Sequence, residues 1–190
     1  MYAIVPVIFL FFISCSQKQT IQDVSIVRDP PEIFISTSDT ALHNNNGTWF
    51  YKNLKANGYI IEKKGDALIA KLPVVDGKEN GIALGWFETG EKRYERSFIN
   101  GDRDGTHKIW YKNGQLGNVN FYKNDKLEGE QISYFESGNL WQSLHYVNGY
   151  EEGKQKTRND SARVINNFTV KNGKLYGVIG RYDCMSVVQK

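Results

Sequence analysis

The chain has 190 residues, with 24 Lys and Arg against 21 Asp and Glu and a formal net charge of +3. This length predicts one domain, and the near balance of charge argues against a nucleic-acid partner, which requires concentrated basic residues. Two cysteines exclude a disulfide-rich scaffold, and three histidines leave little material for a histidine-based metal site. The 18 glycines and 4 prolines favour many tight turns. Composition therefore indicates strands and turns rather than a self-contained enzyme.

The first feature along the chain is an uncharged apolar segment, residues 3–13. It is too short to span a bilayer, which takes about 20 helical residues, but it suits the apolar region of a signal peptide. The next residues resemble a bacterial lipobox, with bulky Phe12 at position −3, small Ser14 at −1 and Cys15 at +1. The lipobox resemblance implies cleavage after Ser14 and lipid on Cys15, although Phe12 stands where Leu is commoner and no Lys or Arg precedes the apolar run. An uncleaved apolar N-terminus is the alternative.

Lipid on Cys15 would tie the protein to a membrane, since two or more acyl chains give durable anchoring. We therefore expect residues 1–14 to be a lipoprotein signal peptide. The expected location is the bacterial cell envelope, at the outer membrane, on its periplasmic side or at the cell surface. Cys184 would then lack an intrachain partner, so no disulfide is expected in the mature chain. Residues 15–40 mix polar residues, a Pro-Pro pair and short apolar pieces, which predicts a tether with room for one strand at residues 32–36.

A period of 24 residues organises the rest of the chain, residues 41–190. Within each period, two short aromatic and apolar runs flank a turn such as Asn113-Gly114, a strong signal for a two-residue hairpin, and a pair such as Asn124-Asp125 closes the unit. One hairpin cannot bury these side chains alone, so neighbouring hairpins must stack. The period predicts an all-β fold, an open single-sheet solenoid of successive antiparallel β-hairpins with a C-terminal cap. The columns that carry the period include Gly81, Gly105, Gly129, Gly153 and Gly177, and also Trp86, Trp110 and Tyr134.

Strand pairing across the turns predicts which side chains share a face. Pairing Phe87 with Lys92 separates two sets of aromatic and apolar residues. One face is expected to carry Trp110, Phe121, Tyr134 and Trp141; the other, Tyr111, Leu116, Tyr122, Phe135, Leu140 and Tyr146. Such rows can stack on sugars, pack on a partner protein or simply cover the neighbouring strand, which is the default. We take the first set as the candidate interaction surface, because an uncovered apolar face usually marks an interface.

The repeat resembles the variant MORN repeat, whose units carry Gly, Trp, an aromatic pair, Asn-Gly and Leu in that order. Matching stretches are residues 47–51, 81–90, 105–116 and 129–140, and the resemblance covers about residues 41–183. Variant MORN repeats dominate proteins labelled YwqK-family antitoxins, and residues 170–184 look like the terminal cap of lipoprotein members. Two units depart from the pattern, since Gly58 precedes Gly81 by 23 residues and Arg158 and Asn159 replace an aromatic pair. Both lie towards the ends, where capping units are commonly atypical.

No residue pattern points to catalysis, to a metal or to a cofactor. His43, His107 and His145 lack ligand spacing, so we expect ordinary surface or strand residues, and Cys184 has no neighbouring base to activate its thiol. Phosphate-binding loops and nucleophile elbows do not occur. An acidic column with the same period supplies one carboxylate per unit, too few oxygens for Ca²⁺, so a role in the turns explains it better. This acidic column consists of Asp104, Glu128 and Glu152.

Three functions are compatible with these observations. The first is a non-enzymatic, membrane-anchored repeat lipoprotein whose β-sheet surface binds protein, lipid or glycan in the cell envelope. The second, implied only by the family resemblance, is an antitoxin-like component of a toxin–antitoxin pair. The third is an envelope enzyme with a cryptic site. We favour the first, because an exported lipoprotein cannot neutralise a cytoplasmic toxin and no segment outside the repeats is long enough for a catalytic domain.

Overall fold

The computed structural model describes residues 29–181 and 184–187. Within these residues the chain forms strands and turns only, so it contains no helix that is long and apolar enough to cross a membrane. The predicted signal peptide, Cys15 and the first part of the predicted tether lie outside the described residues.

Seven strands make up the N-terminal part: β1 Phe34–Ser36, β2 Leu42–Asn45, β3 Thr48–Tyr51, β4 Leu54–Lys55, β5 Gly58–Lys64, β6 Ala67–Val75 and β7 Lys78–Glu79. The central strands are β8 Gly81–Trp86, β9 Lys92–Ile99, β10 Asp102–Arg103, β11 Gly105–Trp110, β12 Leu116–Lys123, β13 Lys126–Leu127, β14 Gly129–Tyr134 and β15 Leu140–Val147. The last strands are β16 Tyr150–Arg158, β17 Val164–Lys171, β18 Lys174–Arg181 and β19 Cys184–Val187.

Sixteen of these strands form one open sheet. Its order is β1-β5-β6-β8-β9-β11-β12-β14-β15-β16-β17-β18-β19, with β7, β10 and β13 paired beside it. Neighbours are antiparallel except β1 and β5, which are parallel. Strands β2, β3 and β4 form a separate three-stranded sheet. The predicted all-β, open solenoid of hairpins is confirmed, and β1 lies where the sequence left room for a strand.

The turns at the two ends of each hairpin differ from each other. At the second turn, Asn100 and Gly101 both have positive φ, 52° and 94°, as a two-residue turn requires. At the first turn, the two-residue prediction for Asn113-Gly114 is wrong. Tyr111 N–H donates to the Gln115 carbonyl at 2.8 Å, which closes a three-residue loop whose last residue, Gly114, has φ 84°. Asn113 instead bonds the N–H of Gln115 through its side-chain oxygen.

This longer loop changes the register next to it. Lys92 lies opposite Trp86 rather than the predicted Phe87, because a β-bulge separates Gly85 from Trp86. Beyond the bulge, Gly85 pairs with Tyr94, which is the register that the predicted pairing implies. The predicted division of the strands into two faces therefore holds away from the turn and is wrong beside it.

A column of buried polar side chains closes the gaps between successive hairpins. His107, Gln131 and Gln155 follow the 24-residue period and are at most 6% exposed. The Gln131 side chain accepts the Phe121 N–H at 2.9 Å, and the His107 ring bonds the carbonyl of Ser97 at 2.8 Å. These side chains satisfy backbone groups that strand pairing leaves open, which buried polar groups require. We call them the gap-filling column.

The acidic column has the predicted role in the turns. Asp104, Glu128 and Glu152 each accept a backbone N–H from the turn of the next period, and the Asn80 side chain does the same one period earlier. The donors are Asn124 at 3.2 Å, Asn148 at 2.8 Å, Asn172 at 3.1 Å and Asn100 at 3.1 Å. Each period thus holds the turn of the following one.

A conventional apolar core occurs at the N-terminal end, where the three-stranded sheet packs on the large sheet. Ile35, Ile60 and Val74 are buried there, with Trp49 and Leu72 packed against them. Along the rest of the array most large apolar residues are only half-buried, as expected of a single layer. Away from the N-terminal end, both faces of this layer therefore remain open to contact with a partner.

Candidate interaction surface

The face predicted to carry Trp110, Phe121, Tyr134 and Trp141 can be followed across the whole sheet through paired residues, which share a face. We call this side the aromatic face and the opposite side the polar face. One row on the aromatic face contains Ile61, Lys71, Leu84, Glu95, Lys108, Val119, Ile132, Ser143, Lys156 and Asn167. The matching row on the polar face contains Glu62, Ala70, Gly85, Tyr94, Ile109, Asn118, Ser133, Gln142, Thr157 and Asn166.

The four predicted surface residues differ in exposure. Phe121 and Trp141 are 39% and 41% exposed, whereas Trp110 and Tyr134 are half-buried between strands. Alternation along the strands places all four on the aromatic face. Further exposed apolar and aromatic residues on this face are Phe34, Ile82, Tyr150 and Tyr176. Sequence reasoning missed these four for two reasons. Phe34 lies before the repeat array, and the columns of Ile82, Tyr150 and Tyr176 hold polar or charged residues in the other periods, such as Thr106, Lys126 and Glu152.

Lysines lie among the rings of the aromatic face. The Lys92 Nζ is 5.3 Å from the centroid of the Trp110 ring and 3.0 Å from a carboxylate oxygen of Glu95. At the N-terminal edge, Lys71 Nζ is 3.9 Å from the Tyr59 ring centroid. An ammonium group over an aromatic ring contributes about 0.5–1 kcal/mol at an exposed site. The face therefore presents apolar area and positive charge together.

Basic side chains outnumber acidic ones on the aromatic face. The row given above contains Lys71, Lys108 and Lys156 but a single acidic residue, Glu95. Lys154 and Lys156 line a shallow hollow near the C-terminal end, together with Ser143, Asn167 and Tyr176. Glu95 and Glu130 are interspersed among the lysines nearer the centre, and Glu130 accepts a hydrogen bond from Ser143 Oγ at 2.5 Å. The formal charge of the chain is small, but its distribution gives this face a positive character.

Residues near the first turns depart from the predicted faces. Leu116 pairs with Trp110 and Leu140 pairs with Tyr134, although we expected both leucines on the opposite face. The Phe135 ring centroid lies 5.8 Å from that of Trp141, although these two rings were also expected on opposite faces. The cause is the bulge beside the three-residue loop, which shifts the pairing by one residue.

The remaining predicted residues lie in structural positions. His107 belongs to the gap-filling column, His145 bonds the Glu152 carbonyl at 2.8 Å, and the His43 ring stacks on Phe50. Burial lowers the pKa of His107, and the nearby guanidinium groups act in the same direction. Cys184 begins the last strand, and Cys15 lies outside the described residues. In the part of the chain that the structure describes, His, Cys, Asp and Glu form no group of three that could hold a metal ion.

Comparison with known proteins does not assign a family to the chain. No protein-family model matches it, and no curated protein matches it.

Proposed function

We propose that this protein is a non-enzymatic repeat lipoprotein of the bacterial cell envelope, anchored through lipid on Cys15, and that its aromatic face binds a protein, lipid or glycan partner. The observation that carries the proposal is the exposure of large apolar and aromatic side chains over a face that also holds lysines. Soluble monomers rarely leave large contiguous apolar areas exposed, and such areas usually mark an interaction site. Its lysines favour a partner that bears negative charge.

Packing between strands is the competing explanation for the aromatic rows. Half-buried Trp110 and Tyr134 fit that explanation, because neighbouring strands cover much of their surface. Phe121 and Trp141 fit it less well, since each leaves about two-fifths of its surface in solvent. The more exposed pair therefore gives the cleaner test of binding.

The binding test replaces Phe121 and Trp141 together by Ser and measures retention of solubilised envelope material on the immobilised protein. We expect retention to fall while the far-UV circular dichroism spectrum is preserved. The matched control replaces Tyr122 and Tyr146 by Ser, since these rings lie on the polar face. Undiminished retention by the variant that lacks Phe121 and Trp141 would contradict the proposal. If that variant unfolds, the two rings serve packing between strands rather than binding.

The anchor is tested separately. A Cys15→Ser variant removes the thiol that lipobox processing would use, so labelling with radioactive fatty acid should be lost. The matched control is Cys184→Ser, which removes the other cysteine and should label like the wild type. Equal labelling of the two variants would contradict a lipid anchor at Cys15.

A further inference from the structure

A pocket of about 230 Å³ lies on the polar face at the N-terminal end of the array, where the three-stranded sheet overhangs the large one. Its apolar lining comes from Ile60, Ala70, Leu72 and Ala83, and Trp49 of β3 contributes an aromatic wall. This site lies on the side of the sheet away from the aromatic face, so it is independent of the function proposed above.

The pocket exists because two repeat columns hold small residues in this one period. Ala83 occupies the position that His107, Gln131 and Gln155 fill in later periods. Gly85 likewise stands where Ile109 begins a series of larger side chains. A Cβ at Gly85 would lie 2.1 Å from the Tyr94 ring, so the glycine lets that ring lie flat against the strand. The repeat therefore departs from its own pattern in the place where the hollow forms.

A hydrogen-bond donor, Arg96, and two carboxyl groups, those of Glu62 and Glu79, line the pocket. The Arg96 guanidinium carbon is 4.5 Å from the Tyr94 ring centroid, so the flat ring supports a planar hydrogen-bond donor. Burial raises the pKa of the Glu79 carboxyl, while the Trp49 indole and the Arg96 guanidinium act in the opposite direction. Glu62 provides a second carboxylate at the rim.

We propose that this pocket binds one neutral pyranose ring. Ring hydroxyls donate and accept hydrogen bonds, so adjacent hydroxyls match the carboxylates of Glu62 and Glu79 and the guanidinium of Arg96. The apolar C–H face of a sugar packs against an aromatic ring, which Trp49 supplies. An anion would face two carboxylates, and a cation would face Arg96, so a neutral polar ligand suits the site better than either. Its volume is below the roughly 300 Å³ at which drug-sized sites begin, which favours one ring over an oligosaccharide.

The test is titration of the full-length, ¹⁵N-labelled protein with methyl glycosides of glucose, galactose, mannose and N-acetylglucosamine, in a detergent without a sugar headgroup. The four tryptophans give four indole N–H resonances, and a Trp49→Phe variant assigns the relevant one. At least one glycoside should shift the Trp49 resonance saturably, with a Kd of roughly 0.1–10 mM, while acyclic sorbitol and anionic glucose 6-phosphate should not.

The decisive variant is Ala83→Gln, which places the residue of the later periods into the hollow. We expect at least a tenfold loss of affinity with the sheet intact. The matched control is Ile82→Gln, because Ile82 is the neighbouring residue, exposed on the aromatic face, and should leave binding unchanged. Arg96→Gln, whose site is exposed, gives a second test if Ala83→Gln fails to fold. The proposal is overturned if no glycoside binds, or if binding survives Ala83→Gln or, where that variant does not fold, Arg96→Gln. Neither result depends on the lipid anchor or on the aromatic-face partner.

Discussion

Replacing Gln131 by Ala should destabilise the array because the side chain joins two hairpins from a buried position. Gln131 is 5% exposed; its side-chain oxygen accepts the Phe121 N–H at 2.9 Å, and Nε2 lies 3.0–3.3 Å from three carbonyl oxygens. The Phe121 carbonyl keeps the Glu128 N–H at 2.9 Å, so the Phe121 N–H is the main group left unsatisfied. A buried donor without a partner costs about 1–3 kcal/mol. With the lost packing of the side chain, we expect the free energy of unfolding to fall by about 2–3 kcal/mol.

The first period suggests how to remove that cost. There the column holds Ala83, and the residue ten positions earlier, equivalent to Phe121, is Pro73, which has no N–H. A Phe121→Pro, Gln131→Ala double variant reproduces this natural pair and leaves no orphaned donor. The two substitutions should therefore be coupled, with the double variant about 1–2 kcal/mol more stable than the sum of the single effects predicts.

Urea unfolding followed by circular dichroism measures all of these free energies. Gln142→Ala is the matched control, since that half-buried side chain makes one bond, to Ser133 Oγ at 3.3 Å, and should cost less than about 1 kcal/mol. A free energy of unfolding for Gln131→Ala within about 0.5 kcal/mol of the wild type, or additive effects in the double variant, would contradict this role of the Gln131 side chain.

Three further predictions concern the pH dependence, the turns and the repeat. Burial holds the pKa of His107 below its usual value of about 6.5, so in acid the unfolded chain binds more protons than the folded one, and stability should fall as pH drops through that value. Urea unfolding at several pH values should show a flatter slope of stability against pH for His107→Gln than for the wild type. An unchanged slope would contradict this role of His107. Glu128→Ala removes the acceptor for the Asn148 N–H and should lower stability by about 1 kcal/mol, whereas Glu128→Gln should lower it less. Equal losses of the two variants in thermal unfolding would argue against a stabilising hydrogen bond between Glu128 and the Asn148 N–H. Excising residues 106–129, one whole period, should leave a soluble sheet, whereas excising residues 106–117 should cause aggregation through an unpaired edge. Similar solubility of the two deletion variants would show that the 24-residue hairpin is not the folding unit.

The repeat period carried most of the fold information, because it constrains many positions at once. Gly81, Gly105 and Gly129 each begin a strand, as their spacing indicates, and the acidic column has the predicted contacts with the turns. These features depend on local backbone chemistry that recurs in every unit. A local signal repeated several times is read with little ambiguity.

The features that sequence reasoning missed depend on the arrangement of the strands around each residue. Asn113-Gly114 fits both a two-residue and a three-residue loop, and the choice shifts the adjoining register by one. From the sequence alone, Gln131 is an ordinary polar strand residue. In the structure it lies just outside the short stretch over which β12 and β14 pair, Asn118 with Ser133 and Val119 with Ile132. The pocket around Ala83 depends on a second sheet whose position the 24-residue period does not encode.

The central functional claim is that the aromatic face contacts an envelope partner, and site-specific photo-crosslinking in living cells tests it most directly. A benzophenone amino acid is placed at position 121, on the aromatic face, or at position 122, the adjacent residue on the polar face. We expect a crosslinked species of raised mass from position 121 and none from position 122. Crosslinking from position 122 alone, equal crosslinking from both, or none from position 121 would contradict the claim.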